Sequence, residues 1–239
     1  MSKHANLRLT AKLLPIIAPF IAKNDIRYYL NAINVRPHKD GGAVICATNG
    51  HALGAIHDRD AVCEQEVILR FDARMQQACA GGPKDERAVV MIGDRLAVVD
   101  EGGTDLYIQA GRPDVEATYP SYARVIPKME ELRPGLVGMF GANLITLCEK
   151  AAAAAAKASG KKLQHDTAMQ FFSVKGDPNL SAVVRLWAAP EFIGVLMPMR
   201  AEGPMAVMPS WAISLPPIDD LASMTKTASA PAATEAVPA

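Results

Sequence analysis

Two cysteines and two histidines are the residues whose types and spacing come closest to a metal site. Cys46, His51, His57 and Cys63 lie within fewer than twenty residues, and thiolate and imidazole groups are ligands that zinc prefers. The spacing fits no compact zinc finger, and on two strands of a hairpin the ligands would have to converge against the alternation of side chains. We therefore expect no metal site, and interpret the set as core cysteines with a loop histidine.

Residue patterns typical of an enzyme are absent from the sequence. It has no nucleophile with a base at a workable spacing, no phosphate-binding G-x-x-x-x-G-K motif and no paired carboxylates in an apolar segment. His51 follows Asn49 and Gly50, which is more typical of a pocket wall beside a turn than of a general base. We expect a protein that is not an enzyme and that uses no cofactor.

Basic residues line one predicted helix, over residues 141–159. At about 100° per residue, Lys150, Lys157 and Lys161 form one stripe, roughly 120° from an apolar stripe that contains Leu144. Such a stripe can contact DNA phosphates without reading the base sequence. A solvated lysine face that keeps the protein soluble is the alternative, and the sequence does not separate the two.

Composition indicates a soluble globular protein of one large or two modest domains. The chain has 239 residues, half of them hydrophobic, and its 25 Lys and Arg balance 25 Asp and Glu, so no global positive field attracts nucleic acid. The longest early apolar run, LLPIIAPFIA, is too short to span a bilayer and contains two prolines. We expect a cytoplasmic protein with reduced cysteines.

The order of predicted elements repeats along the chain. A strand over residues 5–10, a helix with Thr10 as a candidate N-cap and three strands are followed by a strand, a helix that Asp72 caps and three more strands. Pro15 and Pro19 each remove a backbone donor, so the first helix is expected to be short or kinked. The sequence predicts a module of strand, helix and three strands that recurs without a repeat of sequence.

A proline-containing connector places a boundary near residue 128, after which the pattern starts a third time. LVGMF is predicted as a strand, residues 141–159 as a helix and three segments up to Arg200 as strands. The third module has no partner module. Beyond Arg200 the sequence is rich in Ala, Pro, Ser and Thr, and we expect this tail to be largely disordered.

Four segments in this order carry a family resemblance: DIRYYLNAI, ATNGHAL, YPSYARVIPK and GVLMPMR. Together they resemble the bacterial DNA sliding clamp, the β subunit of DNA polymerase III, over about residues 5–200. The resemblance implies an α+β clamp fold of repeated modules, with helices on the face toward duplex DNA and antiparallel sheets on the other. It implies a complete domain of two modules over 1–127, like the family's second domain, the closing module of its third domain over 128–200, and a tail over 201–239. The resemblance includes no counterpart of the family's first domain, so we expect that domain to be absent.

The resemblance also implies a groove that binds short linear peptides of polymerase or repair proteins. Carried over by position, its walls come from the opening stretch, the asparagine-glycine turn, the connector and the final strand. These residues are Arg27, Leu30, Thr48, Gly50, His51, Leu53, Pro120, Arg124, Val125, Val195, Met197, Pro198, Met199 and Arg200.

Neighbouring residues refine this expectation. Tyr28 and Tyr29 are expected to be strand residues that support the groove rim, with one ring buried and the other exposed, because neighbours on a strand point to opposite faces. Asn49 and Ala52 replace the aspartate and arginine that are usual in the family motif, which puts one polar contact of the groove in doubt.

An unpaired third module is expected to expose one edge of its sheet and one flank of its helix. Two copies that pair their third modules about a twofold axis would cover both, so we expect a homo-oligomer. In the tail, Ile213 and Leu215 of AISLPP resemble the family's guest peptide without its glutamine, and form a candidate docking peptide for this groove or for that of another clamp.

The sequence thus predicts a non-catalytic processivity or tethering factor of DNA replication, associated with double-stranded DNA and the nucleoid. The alternative is a truncated clamp homologue that forms no ring and acts as a peptide-binding competitor toward clamp clients or a full clamp. The two functions share a groove and differ in whether the protein encircles DNA.

Overall fold

The structure is a computed structural model that describes residues 6–161 and 166–200. The described part is an α+β fold built from three modules of one strand, one helical segment and three strands. The first module contains β1 (Arg8–Thr10), α1 (Leu14–Ile17), β2 (Ile33–Pro37), β3 (Ala43–Thr48) and β4 (Ala52–Asp58). The second contains β5 (Val67–Leu69), α2 (Ala73–Cys79), β6 (Ala88–Ile92), β7 (Arg95–Val99) and β8 (Asp105–Ile108). The third contains β9 (Leu132–Pro134), α3 (Ala142–Ser159), β10 (Met169–Val174), β11 (Ala182–Leu186) and β12 (Ala189–Leu196).

The prolines break the first helical segment, as the sequence predicted. A 3-10 turn lies on each side of the four-residue α1, with Pro15 in the first turn of α1 and Pro19 in that of the following 3-10 turn. Asp72 caps α2 as predicted, since its Oδ1 accepts the N–H of Met75 at 2.6 Å. The prediction that Thr10 caps the first helix is wrong, because its hydroxyl donates to the buried carboxylate of Asp58 at 2.9 Å instead.

The first two modules exchange their first strands. The antiparallel pair of β1 and β6 places the opening strand of the first module in the sheet β1-β6-β7-β8, and the pair of β5 and β2 places that of the second module in the other sheet. Each module therefore completes the sheet of the other, and the two form one interlocked domain. Within residues 6–161 and 166–200 the third module has no such partner module, and its β9 pairs with its own β10.

One edge of the third module's sheet, at β12, is covered by the first module, while β9 ends the sheet. Strand β12 pairs with β4 in antiparallel register, with Leu53 opposite Val195 and Ala55 opposite Ile193, so that one sheet of eight strands runs β5-β2-β3-β4-β12-β11-β10-β9. Helix α3 packs against α1 through buried Leu144, Cys148 and a run of buried alanines. The third module is thus covered by the first module of the same chain.

Two predicted strands differ in the structure. The predicted strand LVGMF is not formed, because the opening strand of the third module lies earlier, at Leu132–Pro134, and Met139 makes a single bridge to Met199. Tyr28–Asn31 form a 3-10 turn, and the strand begins only at Ile33. Among the described residues, no helix has the length and apolar character needed to cross a membrane.

The joint between β4 and β12 depends on two glycines that face each other, Gly54 and Gly194. A Cβ on Gly54 would lie well inside van der Waals distance of the Phe20 ring, which in turn packs on Phe192 with ring centroids 5.8 Å apart. The absence of a side chain on Gly54 therefore lets the first helical segment lie close to the joint.

Replacement of Gly54 by alanine is expected to lower the free energy of unfolding by about 1–3 kcal/mol, because the added methyl group overpacks the site of Phe20. Urea unfolding measures the difference. The matched control is Gly102→Ala in the β7–β8 turn, where the nearest atom to the new Cβ would be 3.4 Å away, and where a change within about 0.5 kcal/mol is expected. Equal stability of the Gly54→Ala variant and the wild type would contradict this account of the joint.

Candidate functional site

A turn between β3 and β4 forms the first wall of the candidate groove. The Oδ1 of Asn49 accepts the N–H groups of His51 and Ala52 at 2.9 and 2.8 Å, and the hydroxyl of Thr48 donates to the carbonyl of Ala52 at 2.8 Å. Gly50 adopts φ +89°, which favours glycine. Asn49 therefore makes turn contacts that need only a side-chain oxygen, and these do not depend on the aspartate of the family motif.

The end of β12 forms the opposite wall. Val195 lies opposite Leu53 in the sheet, and the N–H of Met197 donates to the carbonyl of His51 at 2.9 Å, which continues the pairing beyond the strand. The joint between the first and third modules thereby holds the side chains of Val195 and Met197 beside the turn.

The connector between the second and third modules forms the third wall. It runs along β5, where the N–H of Arg70 donates to the carbonyl of Pro113 at 2.8 Å and the N–H of Val115 to that of Ile68 at 2.9 Å. Buried Tyr119 anchors it, and burial raises the pKa of the Tyr119 hydroxyl above its ordinary value. The 3-10 turn Tyr122–Arg124 follows at the groove.

These walls enclose a cavity of about 260 Å³ whose surface is mainly apolar. Its lining contains the following residues of the predicted groove: Arg27, Leu30, Thr48, Gly50, His51, Leu53, Pro120, Val125, Val195 and Met197. Four segments that are distant in the sequence are therefore brought together at one site.

The other predicted groove residues lie outside this lining. Arg124 is exposed on the 3-10 turn beside the cavity, and Pro198 follows Met197 away from it. Met199 bonds through its N–H to the carbonyl of Met139 at 2.7 Å, which directs the chain toward the start of α3, and Arg200 is exposed beyond it. Four residues outside the predicted set also line the cavity: Tyr29 and Ala52, which the sequence reasoning placed at the groove without assigning them to its walls, and Ser121 and Tyr122, which it missed.

An ion pair that the sequence analysis did not identify fixes the polar end of the cavity. Arg27 donates through Nε and Nη2 to the two carboxylate oxygens of Asp25, at 3.0 and 2.7 Å, and Asn31 holds the backbone of Asp25 through both its N–H and its carbonyl. The guanidinium lies over Gly50, where a Cβ would be 2.9 Å from Nη2. Arg27 is therefore held in one position while its second Nη remains available to a ligand.

The ion pair with Arg27 also determines the protonation state of Asp25. Hydrogen bonds from the Arg27 side chain and backbone lower the pKa of Asp25 from its ordinary value to about 2. The carboxylate therefore stays charged throughout the neutral and mildly acidic range. Its interaction with Arg27 is complete above the ordinary pKa of an aspartate and is lost as the pH falls toward 2.

Tyr28 and Tyr29 differ in exposure, but not for the predicted reason. They lie on the 3-10 turn, where Tyr28 is exposed and donates its hydroxyl to the carbonyl of Glu116 at 3.1 Å. Tyr29 is half-buried, lines the cavity and packs edge-on against Tyr119. The pair thus ties the opening stretch to the connector.

The cysteines and histidines considered as metal ligands are dispersed. Cys46 is buried under the groove, where burial raises the pKa of its thiol, and Cys63 donates to the carbonyl of Gln65. The ring of His57 bonds to the carbonyl of Gly41 and lies 4.4 Å from the ring of His38, tilted by 48° to it. Within residues 6–161 and 166–200, no group of three or more potential ligands converges.

The three lysines assigned to one stripe do not share it in the structure. Lys150 and Lys157 are exposed on α3, with Glu149 beside them. The helix ends at Ser159 with Gly160 in the left-handed conformation, so Lys161 lies beyond it, and its ammonium sits 5.7 Å from the ring centre of Trp187. The candidate docking residues Ile213 and Leu215 lie outside the described part of the chain.

Comparisons with known proteins place this fold among sliding clamps. No family model matches the chain, and no curated protein matches it by sequence. Among solved structures, a DNA polymerase sliding clamp from Pseudomonas aeruginosa aligns with a TM-score of 0.57 and 16% identity over 84% of this chain and 68% of that one. The β sliding clamp of Caulobacter crescentus gives a TM-score of 0.54 at 16% identity, and a clamp from Bartonella birtlesii 0.54 at 15%, each over 84% of this chain and 68% of the other. The described chain therefore has the α+β clamp fold.

The position of Arg27 can be tested through the titration of Asp25. The carboxyl carbon of Asp25 is expected to titrate near pH 2 in an NMR experiment, and in an Arg27→Gln variant its pKa should rise toward the ordinary value, because the charge-assisted hydrogen bonds are lost. Arg36→Gln serves as the control, since Arg36 pairs with Glu66 and not with Asp25. An Asp25 that titrates normally in the wild-type protein would show that the pair does not hold.

Proposed function

We propose that the protein is a non-catalytic, clamp-like tethering factor of DNA replication that binds short linear peptides of polymerase or repair proteins in the groove. The observation that carries the proposal is the meeting of four distant segments, around Arg27, Gly50, Pro120 and Val195, in one apolar cavity. A cavity of about 260 Å³ suits one or two large apolar side chains rather than the surface of a folded domain.

The residues of the cavity suit a peptide with apolar anchors. Leu30, Leu53 and Val195 give rigid apolar walls, while Met197 is flexible and can adapt to different guests. Arg27, held by Asp25, offers a donor to a peptide carbonyl or carboxylate without having to be ordered on binding. Affinity would come from the apolar anchors and orientation from the arginine.

DNA contact is the second part of the proposal. Lys150 and Lys157 on α3 are exposed and would approach duplex phosphates in a sequence-independent way. A protein that encircles DNA has to self-associate, because the described chain contains only three modules. We propose a homo-oligomer that acts in the cytoplasm at the nucleoid.

A truncated clamp homologue that forms no ring is the second candidate function. It is favoured by the contrast between the groove, whose lining one chain supplies, and helix α3, which exposes only two lysines, Lys150 and Lys157, with the acidic Glu149 next to the first of them. Such a protein would compete for clamp clients, or dock on a full clamp, through peptide contacts alone. Both candidates require the groove, and only the first requires DNA.

Peptide binding is tested with a labelled peptide that contains Gln-Leu-Ser-Leu-Phe, by fluorescence anisotropy. Val125→Asp, at a wall residue that is 46% exposed, is expected to weaken binding by about tenfold or more, because it puts an unpaired charge against the apolar anchors. Leu180→Asp, at a residue 39% exposed in the β10–β11 turn, should bind as the wild type does. Absence of binding to the wild-type protein would reject the groove as a peptide site.

DNA retention separates the two candidate functions. A tethering ring is expected to remain on nicked circular DNA and to be lost when that DNA is linearised, and Lys150→Glu with Lys157→Glu should weaken the salt-dependent association with DNA that is measured before a ring closes. Lys39→Glu, in the β2–β3 turn, is the control for the change of charge. Peptide binding without retention on either DNA would select the competitor.

A further inference from the structure

A second mainly apolar cavity lies at the other end of the joint between the first and third modules. The groove lies where Leu53 faces Val195, whereas this cavity lies beyond the pair of Ile56 and Phe192, between the first helical segment and the last turns of α3. We call it the α3 cavity. Its volume is about 360 Å³, which is within the range of sites that bind small organic groups.

Short side chains leave the α3 cavity open. Helix α3 and the β11–β12 hairpin contribute mostly alanine to its walls, and because alanine ends at Cβ, these elements meet the first helical segment without filling the space between them. The apolar lining includes Leu13, Ile16, Ala155, Ala158, Ala188 and Ala189. The walls therefore suit a flat apolar ring.

Trp187 holds its ring in solvent beside the α3 cavity. It lies in the two-residue turn between β11 and β12, next to Ala188 of the lining, and is 69% exposed, more than any other aromatic residue in the described part of the chain. The turn is fixed, because buried Leu186 pairs with buried Ala189 and the N–H of Trp187 donates to the carbonyl of Ala168 at 3.0 Å. A large aromatic ring fixed in solvent is typical of a contact surface.

Lysines surround the ring and the cavity. The ammonium of Lys161 lies 5.7 Å from the centre of the Trp187 ring, and Lys157 is exposed near the end of α3. Lys12 lines the cavity itself. None of the three forms an ion pair with a described residue, because the lysine ion pairs in that part of the chain involve other lysines.

The acids of the cavity lining are mostly engaged within the protein. Buried Asp58 accepts the N–H and the hydroxyl of Thr10, at 2.7 and 2.9 Å. Glu191 pairs with Arg59 at 2.7 Å. Asp60 is the acid of the lining that has no ion pair with a described residue, and it faces a surplus of lysine charge, so the site favours an anionic ligand.

We propose that the α3 cavity and Trp187 bind single-stranded DNA. One base would stack on the Trp187 ring and a neighbouring base would enter the cavity, while their phosphates contact Lys12, Lys157 and Lys161. Single-stranded DNA combines exposed flat rings with a negative charge at every nucleotide, which matches an apolar cavity, an exposed aromatic ring and unpaired lysines. A duplex fits this site less well, because its bases are stacked on one another.

This inference goes beyond the proposed function, which concerns peptides and duplex DNA, and it does not rest on that function. The α3 cavity shares no lining residue with the groove. The competing occupant is an apolar side chain of a protein, which would need neither the bases nor the phosphates of a nucleic acid.

Tryptophan fluorescence tests the stacking directly. In a Trp211→Phe background Trp187 is the sole tryptophan of the chain, and a thymidine 12-mer is expected to quench its emission when a base stacks on the ring. The quenching should require more DNA as the salt concentration rises, because phosphate contacts weaken with salt. Absence of quenching at low salt would overturn the proposal.

Fluorescence anisotropy of the labelled thymidine 12-mer measures the affinity of the full chain. Trp187→Ala is expected to weaken binding about tenfold, and Trp187→Phe to keep most of it, because an aromatic face remains. Leu180→Ala, at an exposed leucine of the β10–β11 turn, is the matched control and should bind as the wild type does. Lys161→Gln should reduce the salt dependence, whereas Lys39→Gln, in the β2–β3 turn, should leave it unchanged.

An abasic 12-mer separates stacking from the attraction of phosphates, since it keeps the phosphates and lacks the bases. We expect it to bind the wild type about tenfold more weakly than the thymidine strand does, and to bind Trp187→Ala and the wild type equally. Equal affinity of the wild type for both strands would overturn the proposal, and so would a folded Trp187→Ala variant with wild-type affinity for the thymidine strand.

Thermal unfolding shows whether each variant is folded. A duplex 12-mer that binds as tightly as the single strand, with the same loss in Trp187→Ala, would also overturn the assignment to single-stranded DNA. Trp187→Ala should bind the labelled peptide of the groove as the wild type does, so failure of this inference and failure of the proposed function give different results.

Discussion

The antiparallel pairing of β4 with β12 is the interaction on which the rest of the structure depends. It joins the third module to the first in one eight-stranded sheet, and it brings α3 against α1 on the other face. The hydrogen bond from Met197 to His51 extends the joint to the turn that forms the groove. Without it, the two walls formed by Leu53 and Val195 would belong to separate bodies.

The groove combines adaptable apolar contact with one fixed polar contact. Its apolar part rests on a buried cluster that contains Leu30, Cys46 and Val195, so the cavity floor is part of the core. Its polar part is held from outside the core, by Asp25 and the backbone contacts of Asn31. Gly50 lies between the two, under the Arg27 guanidinium, and its φ of +89° favours glycine at this turn. This division fits the proposed role of the groove, in which varied peptides would bind in one orientation.

Because the described residues contain three modules, the third module cannot exchange its first strand with a partner module, as the first two do. Exchange of β1 and β5 locks two modules into a domain, while the third keeps β9 and protects that edge with Pro134 and Arg133. The third module is stable because the first supplies both a strand and a helix to cover it. Among the described residues, β8 and β9 each have a strand neighbour on one side only.

The local sequence determined the helices, strands and turns wherever a single residue type has a defined effect on the backbone. Pro15 and Pro19 lack the amide hydrogen and shorten the first helix, Asp72 caps α2, and Asn49 with Gly50 makes the turn of the groove. The order of strands and helices could be predicted for the same reason, since periodicity and turns are local. The resemblance of four short segments located most of the residues that line the cavity.

Only the tertiary structure decided how the modules meet, because pairing between distant strands depends on which edges become available after folding. The sequence predicted one open edge on the third module but not which: β4 covers the edge at β12, and β9 ends the sheet. It placed Lys161 on the helix, although Gly160 ends the helix before it, and it gave no sign that Asp25 holds Arg27 or that Tyr122 lines the cavity. The sequence by itself thus determined the modules and the segments of the groove. Contacts between distant residues decided how those segments form the walls of the groove, how Asp25 holds Arg27, and which strands end the sheets.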